Sequence, residues 1–147
     1  MKPNPILSEQ LCFAAHAVDQ AFQQIYRPLL AKLGLTYSQF LVLMVLWEID
    51  NRTVGELGQS LHLQSNTLTP VLKRMAQAGF VNRQRDVKDE RAVRISLTER
   101  GRAIYLQAPD ILQCALLATG LSAEEGARLV KTLQTLNENL RQAADVT

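Results

Sequence analysis

Two cysteines, three tyrosines and two histidines carry most of the chemistry open to this chain. Cys12 lies in Leu11-Cys12-Phe13, and Cys114 in Ile111-Leu112-Gln113-Cys114. A thiolate is a nucleophile and a redox centre, and an early helical position favours its negative charge. The plainer reading of a cysteine beside an apolar stripe is an inert core residue. Tyr26 and Tyr37 are the nearest phenols, each able to donate a hydrogen bond to a thiolate. Cys12 and Tyr26 are fourteen residues apart. That is close to four helical turns, so they share a face, but their axial separation is about 21 Å. One straight helix keeps them apart. Two copies crossing antiparallel near position 19 would pair Cys12 with Tyr26 of the other chain. Alternatively, the tyrosines only fill a dimer interface. His16, one turn past Cys12, either assists deprotonation or packs, and packing is the reading adopted. His62 reads as a helix-end residue. There is no CxxC and no metal-ligand spacing, so no metal or cofactor is expected.

The elements that must position these groups follow from periodicity. The chain has 147 residues, 47% of them hydrophobic and 20% charged, with a net charge of +2, which suits one folded domain. No apolar run reaches the roughly 18 residues of a membrane span. The N-terminus lacks a signal-peptide pattern, so a cytoplasmic protein is expected, where a disulfide would be transient and redox-linked. A first helix starts at Asn4-Pro5 or at Ser8, with an apolar stripe of Leu11, Ala15, Val18, Phe22, Ile25 and Leu29. Pro28 kinks its end and Gly34 stops it. A second, nearly all-apolar helix follows Thr36. Thr53 with Glu56 makes a capping box for a short third helix ending near His62. Ser65 caps a fourth, which turns Leu68, Val71, Leu72 and Met75 inward. Val81 to Arg85 and Val93 to Leu97 then form a two-stranded hairpin. Thr98 caps a fifth helix running to about Ala118, and Ser122 with Glu125 opens a last one. The fold class is mainly α with a small β-hairpin, a winged helix-turn-helix.

Charge is concentrated on the elements that would touch a duplex. Residues 64–94 hold seven bases and three acids, a surplus of +4 that leaves −2 elsewhere. Gln64, Ser65, Asn66, Thr67 and Thr69 open the fourth helix with side chains suited to base edges or phosphate. Lys73 and Arg74 follow one turn on. In the hairpin, Lys88, Arg91 and Arg94 are further candidates for DNA contact. Arg91 would enter a minor groove, its guanidinium oriented by Asp89. A polar helix start alone is usually only a cap, and a charged hairpin tip only a solvated turn. The joint order of short helix, polar-led helix and basic hairpin is more specific than either.

The run Asp86-Val-Lys-Asp-Glu-Arg-Ala-Val-Arg-Ile-Ser-Leu-Thr-Glu-Arg-Gly101 strongly resembles the wing and following helix of the MarR family. Leu63-Gln-Ser-Asn-Thr-Leu-Thr-Pro-Val-Leu-Lys-Arg-Met75 resembles that family's recognition helix, Pro70 included. The resemblance implies one chain over 1–147, with the winged helix-turn-helix at 36–97 and dimerisation helices at 1–33 and 98–147. It implies a homodimer on a pseudo-palindromic operator in double-stranded DNA. Leu-Cys-Phe, Ile-Tyr-Arg-Pro-Leu-Leu and Leu-Gly-Leu-Thr-Tyr-Ser-Gln-Phe are similar to one MarR branch, the organic-hydroperoxide-sensing repressors of the OhrR type, in its two-cysteine form. That likeness implies a peroxide-reactive Cys12, thiolate-bonding Tyr26 and Tyr37, and a resolving Cys114. An organic hydroperoxide would be the inducer. Two rivals are a MarR repressor released by a small aromatic ligand, with inert cysteines, and a thiol peroxidase. A peroxidase has no need of the basic wing, and a non-enzymatic regulator is the expectation.

Overall fold

The computed structural model describes residues 2–146. It contains two compact units, one through Ile111 and one from Leu112. The first holds the candidate DNA-reading elements.

Helix α1 spans Leu11–Ala31. It starts later than the sequence suggests. Residues Leu7–Glu9 form a single 3-10 turn, closed by Glu9 N–H to Ile6 O and Gln10 N–H to Leu7 O, both 3.1 Å. The chain then leaves the turn in extended geometry at Gln10 (φ −89°, ψ 125°). The Gln10 amide donates back to the carbonyls of Asn4 and Ile6, so it offers no side-chain cap to the helix. Cys12 is therefore the second residue of α1, among its unsatisfied N–H groups. The helix continues through Pro28 and closes with Leu35 N–H donating to Leu30 O (3.1 Å), Gly34 adopting φ +72°.

The apolar stripe expected along α1 does not line the core of this unit. Leu11, Val18 and Ile25 are exposed, and the buried residues of α1 are Tyr26 and Leu30. Helix α2, Tyr37–Glu48, is the central element. A reciprocal capping box of Thr36 and Gln39 starts it, and Phe40, Val42, Leu43 and Leu46 are fully buried.

Helix α3, Val54–Leu61, begins at the expected Thr53–Glu56 capping box. It ends at His62, which takes the left-handed conformation (φ 57°). Helix α4, Ser65–Gln77, turns Leu68, Leu72 and Met75 into the core, with Val71 half-buried. Its N-cap is Gln64 rather than Ser65, and no side chain caps it.

The wing has three strands where the sequence suggests two. Strands β2, Val81–Arg85, and β3, Val93–Leu97, pair antiparallel in register Arg83↔Ile95. Strand β1, Arg52–Thr53, pairs with the other edge of β3 through Arg52↔Ile95 and Thr53↔Arg94. Two residues are too few to show alternation, so this strand leaves no pattern in the sequence. The expected single fifth helix is interrupted: α5 is Glu99–Ala103, a 3-10 stretch covers Ile104–Gln107, and α6 is Ala108–Ala118. Pro109 accounts for the break. It has no N–H to give Tyr105 O, and that carbonyl takes Ala108 N–H instead, in the tighter pattern.

In the second unit, Ser122 and Glu125 form the expected capping box for α7, Ala123–Asp145. No residue of α7 is buried, and Leu129, Val130, Leu133 and Leu140 are exposed.

Candidate functional site

The two cysteines lie on different helices. Cys12 and Cys114 are both free and exposed, in the first turn of α1 and on α6. Cys12 and Tyr26 lie on the same continuous helix, so their separation of about 21 Å holds within one protomer. The structure does bring Tyr26 and Tyr37 together. Their ring centroids are 4.8 Å apart, and Phe40 lies 6.1 Å from Tyr26. Among the described residues neither phenol oxygen has a hydrogen-bond partner. Burial pushes the Tyr26 hydroxyl above its ordinary 10.0, with Tyr37 adding to the effect. Burial also raises Tyr37, and the nearby Asp19 carboxylate raises it further. Both phenols thus stay neutral donors at physiological pH. Asp19 was not singled out by sequence, because its closeness to Tyr37 depends on how α1 packs on α2. His16, four residues after Cys12, is exposed rather than packed.

The candidates for DNA contact lie on α4 and on the wing. Gln64, Ser65, Asn66 and Thr67 are exposed at the start of α4. Thr69 differs: its hydroxyl donates to Ser65 O at 2.7 Å and the residue is half-buried, so it serves the helix backbone. Lys73 and Arg74 are exposed and enter no ion pair among the described residues. The close α3–α4 turn depends on Gly58, where an added Cβ would meet Leu63 O at 2.6 Å.

At the wing tip, Asp86 accepts from Lys88 N–H (3.1 Å) and Asp89 from Arg91 N–H (3.0 Å). Asp89 therefore shapes the turn through the Arg91 backbone, and not through its guanidinium as the sequence suggested. Lys88 and Arg91 are exposed. Arg94 is engaged within the protein, its Nε 3.3 Å from Asp86 and a terminal nitrogen donating to Asn51 O at 2.9 Å. The Lys88 N–H, with help from Arg94, holds the Asp86 carboxyl below the usual range.

One further recess was not foreseen. Leu46, Trp47, Asp50, Leu97, Arg102 and Tyr105 line a space of about 320 Å³. The Trp47 indole donates to Gly101 O (3.1 Å) and meets Tyr105 edge-on at 5.5 Å. Asp50 accepts from Leu97 N–H (2.9 Å) and pairs with Arg102 (3.2 Å). These residues come from two stretches, 46–50 and 97–105, which meet only through tertiary packing.

A short helix, a tight turn, a second helix with an open polar N-terminus and an adjoining antiparallel wing define a winged helix-turn-helix protein. Comparison with known proteins sharpens this. Residues 24–107 match the family model of the transcriptional regulators SarA/Rot. The chain is 45% identical to the organic hydroperoxide resistance transcriptional regulator of Bacillus subtilis, over 92% of each chain. It is similar to reduced AbfR bound to DNA, a protein of Staphylococcus epidermidis, at 37% identity with a TM-score of 0.77, covering 93% of this chain and 94% of that one. Against the disulfide form of AbfR the TM-score is 0.61, at 39% identity over 88% and 91%. The chain belongs to the MarR-type family of winged-helix transcriptional regulators, in the branch of the organic hydroperoxide resistance regulators.

Proposed function

We propose that this chain is a peroxide-responsive repressor whose reduced homodimer binds operator DNA and whose oxidation at Cys12 releases it. The observation that carries this reading is the placement of Cys12. It is exposed in the first turn of a long helix, on the face of a phenol that this helix holds about 21 Å away. A two-fold partner supplies what the protomer cannot: crossing near position 19 sets Tyr26, and with it the adjoining Tyr37, beside Cys12 of the other chain. The exposed stripe of α1 and the unburied leucines of α7 give that dimer its apolar surface.

The chemistry runs in two steps. The Cys12 thiolate attacks the outer oxygen of an organic hydroperoxide. The O–O bond breaks, a sulfenic acid forms, and the alkoxide leaves as an alcohol after taking a proton. The Cys114 thiol then condenses with the sulfenic acid, giving a disulfide and water. The neutral phenols of Tyr26 and Tyr37 hold the thiolate by hydrogen bonds. On DNA, Gln64 to Thr67 face base edges or phosphate, Lys73 and Arg74 the backbone, and Lys88 and Arg91 the groove beside the wing. Two-fold symmetry makes the operator pseudo-palindromic. The site is cytoplasmic, where reductants restore the thiols.

The test is binding of a duplex enriched by the reduced protein from random DNA, before and after cumene hydroperoxide and again after dithiothreitol. Wild type should release and rebind, Cys12→Ser should stay bound, and Cys114→Ser should stop at the sulfenic acid. Release that persists in Cys12→Ser would defeat the proposal. The recess beside Trp47 and Tyr105 favours one second reading, release by a small aromatic ligand. Loss of DNA from Cys12→Ser on adding phenolic compounds would support it.

A further inference from the structure

Arg94 carries one of the positive charges that point to DNA, yet its guanidinium is already engaged by groups of the protein itself. Strand β3 is the central strand of the wing, flanked by β1 and β2. Ile95 and Leu97 are buried, so Arg94, between Val93 and Ile95 in the alternation, projects to the other face. From there one guanidinium reaches both neighbours of β3. Its Nε meets Asp86, the residue that follows β2, and a terminal nitrogen donates to Asn51 O, which precedes β1. Asp86 is well placed to hold it, since its side chain is only 14% exposed and also accepts the Lys88 N–H that forms the wing tip. Asn51 is equally fixed, sitting at φ 57° with its N–H on Asp50 Oδ1 at 2.7 Å. The same Asp50 oxygen takes Leu97 N–H at the far end of β3.

We propose that Arg94 is a positioning residue for the wing. It ties the start of the tip at Asp86 to the Asp50–Asn51 corner, so that the wing is presented to DNA as one body with α2. Asp86, although negative and next to the DNA-facing tip, then favours DNA binding. A simple charge count gives the opposite signs: Arg94 as a phosphate contact, and Asp86 as a repulsive charge.

The inference rests on the DNA-binding reading and is tested on the same enriched duplex. Dissociation constants are measured across a salt series for reduced wild type, Arg94→Gln, Asp86→Asn and the double variant, with thermal unfolding of each. Each single change is expected to weaken binding about fivefold, the scale of one hydrogen-bonded contact. The double variant should be no weaker than the singles, because they break one linkage. The slope of log Kd against log salt should stay as in wild type. A phosphate contact made by Arg94 in both protomers would instead lower that slope by about 2. Such a fall, or tighter binding by Asp86→Asn, overturns the inference. If Arg94→Gln unfolds, the near-isosteric Asp86→Asn decides by its sign alone. A wild type that enriches no duplex defeats the DNA-binding reading, whereas tighter binding by Asp86→Asn defeats this inference only.

Discussion

In the proposed site Cys12 takes hydrogen bonds from Tyr26 and Tyr37, and burial favours the neutral, donating form of both phenols. Their hydroxyls ionise above the ordinary 10.0. Spectrophotometric titration at 295 nm should therefore show Tyr26 and Tyr37 ionising above pH 10.0, with Tyr26→Phe removing one of these late transitions. The linkage follows the same sign. A phenol whose folded pKa exceeds its unfolded value contributes stability that is fully present below pH 10.0 and is lost as pH rises through the folded values. Urea midpoints should thus fall above pH 10 in wild type, and less steeply in Tyr26→Phe. The residue types and the fourteen-residue spacing were legible in sequence. The pairing of Tyr26 with Tyr37, and the reach of Asp19, were not, since they arise from how two helices pack. Charge at Arg94 was visible too, but its partners are set by strand register, which a composition count does not contain.

At the scale of elements, the helix-turn-helix depends on close approach at Gly58. Gly58→Ala should push Leu63 O away and cost about 1–3 kcal/mol, as overpacking does, read as a lower urea midpoint with weaker DNA binding. Thr53→Ala should cost about 1 kcal/mol by removing one half of the capping box. The capping boxes at Thr53 and Ser122 were readable because they are local chemistry. So were the α4 core face and the β2–β3 pair. What escaped was controlled from outside the segment. Strand β1 exists because β3 offers it an edge, the α5–α6 break follows the missing donor of Pro109, and α1 starts at Leu11 because an upstream 3-10 turn takes the Gln10 side chain. The α1 stripe was read correctly as apolar, but a helical period says only that a face seeks burial, not in which chain.

For the whole molecule, that unburied face is the argument for two chains. Val18, 52% exposed midway along α1, lies next to the proposed crossing point. Val18→Asp should convert the dimer to monomer in sedimentation velocity and weaken DNA binding at least tenfold, about 1.4 kcal/mol. The central claim is that each peroxide site is built from two protomers, and mixed dimers test it most directly. One chain carries Cys12→Ser with both tyrosines intact, and the other keeps Cys12 with Tyr26→Phe and Tyr37→Phe. The rate of Cys12 oxidation by cumene hydroperoxide is measured for this mixed dimer and for the homodimer of the second chain. If the tyrosines act across the two-fold, the mixed dimer oxidises at the wild-type rate per cysteine and the phenylalanine homodimer is slow. Equal, slow rates in both would contradict the account, because Cys12 would then be served by its own chain.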